Sequence, residues 1–155
     1  MNNYWYTDAP AQQGGHFTFR YALTSGRSLA LEETTCFAME QRSGLLALRN
    51  EHKAWKQTLP VTGSGFLSAT PKGVAVLTIR PAAGKDTYLI RVQNSSDQET
   101  QARLEFPMIQ LADAHLGSAS GEHIGSVRWS AHQVEIPMTR YDVKTLVVRV
   151  QERQN

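Results

Sequence analysis

Residues 88–106 read YLIRVQNSSDQETQARLEF, two alternating runs separated by a polar turn. In the first run Tyr88, Ile90 and Val92 lie on one side of an extended chain, and Leu89 and Arg91 on the other. In the second, Ala102, Leu104 and Phe106 alternate with Arg103 and Glu105. Side chains two apart share a face of a strand, so each run predicts a strand that gives one apolar face to a core. Between them Asn94-Ser95-Ser96-Asp97 offers short polar side chains that bond their own backbone, and it reads as a hairpin turn. Asn94-Ser95-Ser96 also fits the glycosylation acceptor pattern, which turn chemistry explains without a glycan.

The same period extends in both directions. Val134, Ile136 and Met138 oppose Gln133 and Glu135, while Leu146, Val148 and Val150 oppose Val147 and Arg149. Val127 and Trp129 open another segment, and Met108, Ile109, Leu111 and Leu116 follow with less regular spacing. Upstream, Val74, Val76 and the run Leu77 to Ile79 end at Pro81. Turn residues fill the gaps at 83–86 and from Gly117 to Gly121, the latter read as a flexible loop. Many short strands with such turns predict an all-β, antiparallel β-sandwich.

The N-terminal third is less uniform. Phe17, Phe19 and Tyr21 alternate with Thr18 and Arg20 after Gly14-Gly15, which predicts a strand. From Ser28 to about Arg42, Leu31, Thr35, Ala38 and Met39 share a helical face. Ser28 is the expected N-cap, Glu32-Glu33 suits the first turn, and Arg42-Ser43-Gly44 supplies a stop, giving one short helix. Leu45 to Gly65, with Pro60 and Thr62-Gly63-Ser64-Gly65, reads as a connector. The expected division is therefore 1–25 as closing strands of a preceding domain, 26–64 as helix and connector, and 65–155 as a C-terminal β-sandwich.

Composition narrows the classes of function. A chain of 155 residues that is 41% hydrophobic and 19% charged has the material for a core. The net charge of +2 comes from scattered Lys and Arg, without the concentrated stripe that phosphate neutralisation requires, so no nucleic acid is expected as a partner. No stretch approaches the ~20 apolar residues of a membrane span, and Met1 to Asp8 has no signal-peptide pattern. Cys36 is the single cysteine; its neighbours Thr34, Thr35, Phe37 and Ala38 suit a small buried hydrophobe better than a reactive thiolate. The absence of a disulfide framework suits a reducing cytosol.

No usable catalytic constellation emerges. The histidines, His16, His52, His115, His123 and His132, include no i, i+4 pair. Asp113 and His115 share a strand face and make a two-ligand start, but the further ligands of a tetrahedral site are missing nearby, so a polar strand end facing water is expected. Gly117-Ser-Ala-Ser-Gly121 has Ala119 where a nucleophile elbow needs serine, and Gly63-Ser64-Gly65 lacks a phosphate-loop continuation. Glu32 and Glu33 diverge by about 100° on a helix. Glu99 follows a turn, and Glu105 and Glu135 are expected to face solvent. No catalytic residue, metal or cofactor is expected in this chain. Tyr4, Trp5 and Tyr6 are consecutive, so on a strand Trp5 points away from its neighbours. With Asn2, Asn3 and Thr7 they form a candidate surface for a partner domain or a sugar, while Trp55 and Trp129 suit core or interface positions.

The segment Met1-Asn-Asn-Tyr-Trp-Tyr-Thr-Asp8, with Gln13-Gly-Gly15 and Phe17-Thr-Phe-Arg-Tyr21, resembles the one that closes the large β-supersandwich domain of glycoside hydrolase family 38 α-mannosidases. The usual family form is Asn-Asn-Tyr-Trp-x-Thr-Asn, a Gly, then Phe-Arg-Tyr; Asp8 stands here where Asn is usual. Gly65-Phe-Leu-Ser68, the run Val74 to Arg80, and Leu89-Ile-Arg-Val-Gln-Asn94 are similar to the family's terminal sandwich. So is Met138-Thr-Arg-Tyr-Asp-Val-Lys-Thr-Leu146, where the family commonly has Pro-Phe-Glu-Ile-Lys-Thr-Leu. The resemblance covers nearly the whole chain, in order.

It implies a non-catalytic C-terminal β domain that packs against the catalytic part of an α-mannosidase-type glycosyl hydrolase. Family members are retaining enzymes that hold zinc through a His-x-Asp pair, another Asp and a His, one Asp doubling as nucleophile. Those residues belong to an N-terminal catalytic domain that nothing here matches, so zinc is expected only there. Asp113-x-His115 has the reverse order and lies in the wrong region. The implied partners are the catalytic and other β domains of the parent enzyme, in a bacterial cytoplasm. A carbohydrate-binding module, with Trp5 or Trp129 stacking on mannose-containing glycans, is the alternative. A homodimer through the exposed N-terminal aromatic strand is also expected.

Overall fold

The computed structural model describes residues 15–27, 30–42 and 65–151. The candidate contact residues Asn2, Asn3, Tyr4, Trp5, Tyr6 and Thr7 lie outside these, as do the Ser28 cap, His52, Trp55 and the connector up to Ser64. The described elements are one helix, α1 (Leu31–Arg42), and nine strands. The strands are β1 (Ser68–Thr70), β2 (Val74–Pro81), β3 (Thr87–Asn94), β4 (Thr100–Glu105), β5 (Leu111–Gly117), β6 (His123–Ser126), β7 (Arg128–Ser130), β8 (Gln133–Met138) and β9 (Val143–Val150).

They form two antiparallel sheets, β1-β4-β8-β7 and β2-β3-β9-β5-β6. The expected sandwich is observed, and most of its core consists of residues that alternation placed inside, although Tyr88, expected beside Ile90 and Val92, is exposed. Ile90 and Val92 of β3 meet Leu146 and Val148 of β9, and across the sandwich lie Ala102, Leu104 and Phe106 with Val134, Ile136 and Met138. Most of these side chains are wholly inaccessible, and an apolar side chain removed from water this way contributes about 1.5–3 kcal/mol.

The turn at Asn94 departs from expectation. β3 and β4 belong to different sheets, so Asn94 to Asp97 form a corner between layers and not a hairpin. Asn94 is fully buried and organises that corner. Its Nδ2 donates to the carbonyls of Gln98 (2.7 Å) and Thr139 (2.9 Å), and its Oδ1 accepts from the Ser96 N–H (3.0 Å). Its own N–H donates to Asp142 O, and Tyr141 N–H to Ser96 O, tying the β3–β4 and β8–β9 connections together. An amide so enclosed is no glycan acceptor.

The helix sits where periodicity placed it, but a different face is docked. Leu31 stays half exposed and α1 has no fully buried residue. What meets the sandwich is the side bearing Glu32, Glu33 and Cys36. Glu32 Cγ lies against Gly73, where a Cβ would come within 2.9 Å. Cys36 is partly exposed, not buried as expected, and its thiol reaches Lys72 O at 3.7 Å. Lys72 Nζ donates to Glu33 Oε1 at 3.1 Å. That hydrogen bond, followed by the carboxylate's charge, holds the ammonium above its ordinary pKa. The pair is exposed, so it latches the helix only weakly.

Residues 16–26 are assigned no strand. The alternation expected of Phe17 and Phe19 is nevertheless present: their rings stack at 6.5 Å, as side chains two apart on an extended chain do. A strand requires a ladder with a second strand, and among the described residues no ladder includes this segment.

Candidate functional site

The two outer faces of the sandwich differ in charge. On the four-stranded sheet Glu135 lies between Arg103 (3.5 Å) and Arg128 (3.7 Å) and accepts from Gln133 Nε2 (3.0 Å). Two cations screen it on that face, so Glu135 is partly covered where full solvation was expected. Glu105 and Glu99 are exposed.

The five-stranded sheet turns Thr78 and Arg80 of β2, Leu89 and Arg91 of β3, and Thr145, Val147 and Arg149 of β9 to the outside. Register places Thr78 opposite Arg91 and Arg91 opposite Thr145, and, one row along, Arg80 opposite Leu89 and Leu89 opposite Val147. A bulge between Val76 and Thr78 creates the arrangement. Val74 and Val76 point inward, and strict alternation would send Thr78 and Arg80 after them. The extra residue, Leu77, reverses the phase, so Thr78 and Arg80 emerge on the outer face, and Ile79, opposite Ile90 on this edge strand, remains exposed.

Leu89 and Val147 are buried although they face outward. The segment from Gly117 to Gly121, expected to be a flexible loop, folds over them and with Glu122 makes an organised turn. Ser118 Oγ accepts from the N–H of Ser120 and Glu122, and Ser118 N–H donates to Glu122 O. Arg80 Nη2 pins the turn through Ala119 O at 2.9 Å. Gly121 has φ +98° and lies so close to Leu89 that a Cβ would stand 3.1 Å from Leu89 Cδ2. The backbone conformation and the close approach both call for glycine.

Beside this turn Thr78, Ile79, Arg80, Leu89, Arg91 and Thr145 line a groove of about 440 Å³. None of the six is acidic. Among the described residues Arg80 and Arg91 make no ion pair, and Arg91 is only partly exposed. The sequence marked Arg91 merely as outward-facing and passed over Thr78, Arg80 and Thr145. Short-range periodicity carries no signal for a groove assembled across three strands.

Farther along the same face His115 Nδ1 lies 3.3 Å from Asp113 Oδ2, so the shared strand face expected for this pair is observed. The His123 ring of β6 stands 4.7 Å from that of His115. Among the described residues no three His, Cys, Asp or Glu side chains gather closely enough to hold a metal ion. Trp129 lies on the short edge strand β7 opposite Val134 and is 39% exposed, a rim position. No described helix is long and apolar enough to cross a membrane. Compared with protein-family models and with curated proteins, the chain finds no match in either set.

Proposed function

We propose that this chain is the non-catalytic C-terminal β domain of an α-mannosidase-type glycosyl hydrolase, where it packs against and supports the part that hydrolyses α-mannosides. The supporting observation is the row Phe17, Phe19, Tyr21 and Leu23, exposed by 52, 57, 78 and 94%. The sandwich closes its core without them. Large apolar side chains on alternating positions of an extended segment fit a strand whose sheet lies in a neighbouring domain. Phe19-Arg20-Tyr21 also belongs to the resemblance with family 38. On this reading residues 1–25 complete a preceding domain, 26–64 lead out of it, and the chemistry belongs to a zinc-bearing part elsewhere, in a bacterial cytoplasm.

The test begins with the coding sequence upstream, which is expected to encode a zinc-bearing catalytic domain. Co-expressed with that part, the chain should co-purify, and aryl α-mannoside turnover should need the catalytic part. Alone and folded by circular dichroism, the chain should show no turnover with added zinc. It should also form some dimer by light scattering through the exposed row. Turnover by the chain alone, or failure of the two parts to associate, overturns the proposal.

Partial exposure of Trp129 favours the second reading, a carbohydrate-binding module. That reading requires tryptophan fluorescence to respond to millimolar mannosides and the response to fall in Trp129→Ala; an unchanged signal removes it.

A further inference from the structure

We propose that the groove between Arg80 and Arg91 binds a compact oxyanion, a carboxylate or phosphate group carried on a small polar molecule. The inference is independent of the parent-enzyme reading. Two guanidinium groups can only donate hydrogen bonds, so their natural ligand is rich in acceptors and negatively charged. Thr78 and Thr145 add hydroxyls on the row that contains Arg91. Leu89 supplies an apolar floor, and the volume of about 440 Å³ suits a small molecule.

Two features separate this groove from an ordinary basic surface. On the opposite sheet Arg103 and Arg128 both contact Glu135, whereas Arg80 and Arg91 have no carboxylate partner among the described residues. The groove also stands on three hydrogen-bonded strands, and Arg80 is braced by Ala119 O, so its donors are held in place before a ligand arrives. A half-covered guanidinium without a counter-ion forms stronger charge-assisted bonds than a fully solvated one.

The experiment is an amide NMR titration of the full chain at low ionic strength with glucuronate, with inorganic phosphate, and with mannose as the neutral arm. The expected result is saturable perturbation of Thr78, Leu89, Arg91 and Thr145 by at least one anion, and none there by mannose. The tighter anion identifies the source of the oxyanion. Arg91→Gln is expected to weaken binding about tenfold or more, and Arg91→Lys, which keeps the charge but loses the fork, to weaken it less. Arg103→Gln, an equal charge change on the other sheet, should leave it unchanged. No saturable perturbation by either anion up to about 50 mM, equal binding of mannose in the groove, or equal loss in Arg91→Gln and Arg103→Gln overturns the proposal. Should Arg91→Gln fail to fold, the wild-type perturbation map decides alone.

Discussion

Phe106→Ala is expected to lower the unfolding free energy by about 3–5 kcal/mol. Phe106 is fully inaccessible and heads the largest of the buried side chains. It follows β4, where its backbone is held on both sides: its N–H donates to His132 O at 2.8 Å, and its carbonyl lies 3.2 Å from His132 Nδ1. The same nitrogen is 2.9 Å from Ile109 O. Both neighbours are acceptors, so Nδ1 carries a proton and donates to them. With the backbone clamped, the surroundings cannot collapse into the space left by the ring, and the cavity cost adds to the lost transfer free energy. Urea melts should show a lower midpoint at unchanged slope. Phe106→Leu, which leaves a smaller void, should lose less. A loss below about 1 kcal/mol for the alanine variant would mean that the ring is not part of the packed core.

The second large effect is expected for Asn94→Asp, a change of nearly constant shape. The side-chain amide donates to two carbonyls, and the substitution aims a carboxylate at both inside a buried corner. About 2–4 kcal/mol of stability should be lost at neutral pH. Burial and the facing carbonyls favour the protonated acid, so the carboxyl pKa in the folded variant lies above the value of about 3.9 in the unfolded chain. Between those two values the folded state binds the proton and the unfolded state does not. Stability relative to wild type therefore falls as pH rises from about 4, and levels off above the folded-state pKa. Urea midpoints of both proteins across this range measure the difference. A deficit independent of pH would mean that the corner has opened and solvated the carboxylate.

The strands were legible because their cues are local. Ala102, Leu104 and Phe106, or Val134, Ile136 and Met138, reveal themselves by a period of two, and the structure buries all six. Val147 and Leu89 were legible only as outward-facing; their burial comes from the turn at 118–122, distant in sequence from Leu89. The helix shows the opposite case. Its presence could be read from the helical period and the acidic first turn, but its docked face is set by Gly73 and Lys72, which lie beyond the connector. The corner at Asn94 looked like a hairpin because the same residues make both, and which sheet the next strand joins is not a local property.

The candidate groove belongs to the same class. Arg91 is outward by simple alternation from Ile90 and Val92. Arg80 shares its face only because Leu77 is extruded in a bulge, which no pattern within β2 announces. What the sequence by itself determined is the composition of the layers: which residues face a core, where the chain turns, and that the class is all-β. Alternation encodes this because strand periodicity acts over two residues. Only the tertiary structure decided the order of strands, the phase reversal at Leu77, the cover over Leu89 and Val147, and with them the meeting on one face of two arginines that make no ion pair among the described residues. Those features depend on packing between segments far apart in the chain, where the extra residue of the bulge turns Thr78 and Arg80 onto the outer face beside Arg91 and Leu89.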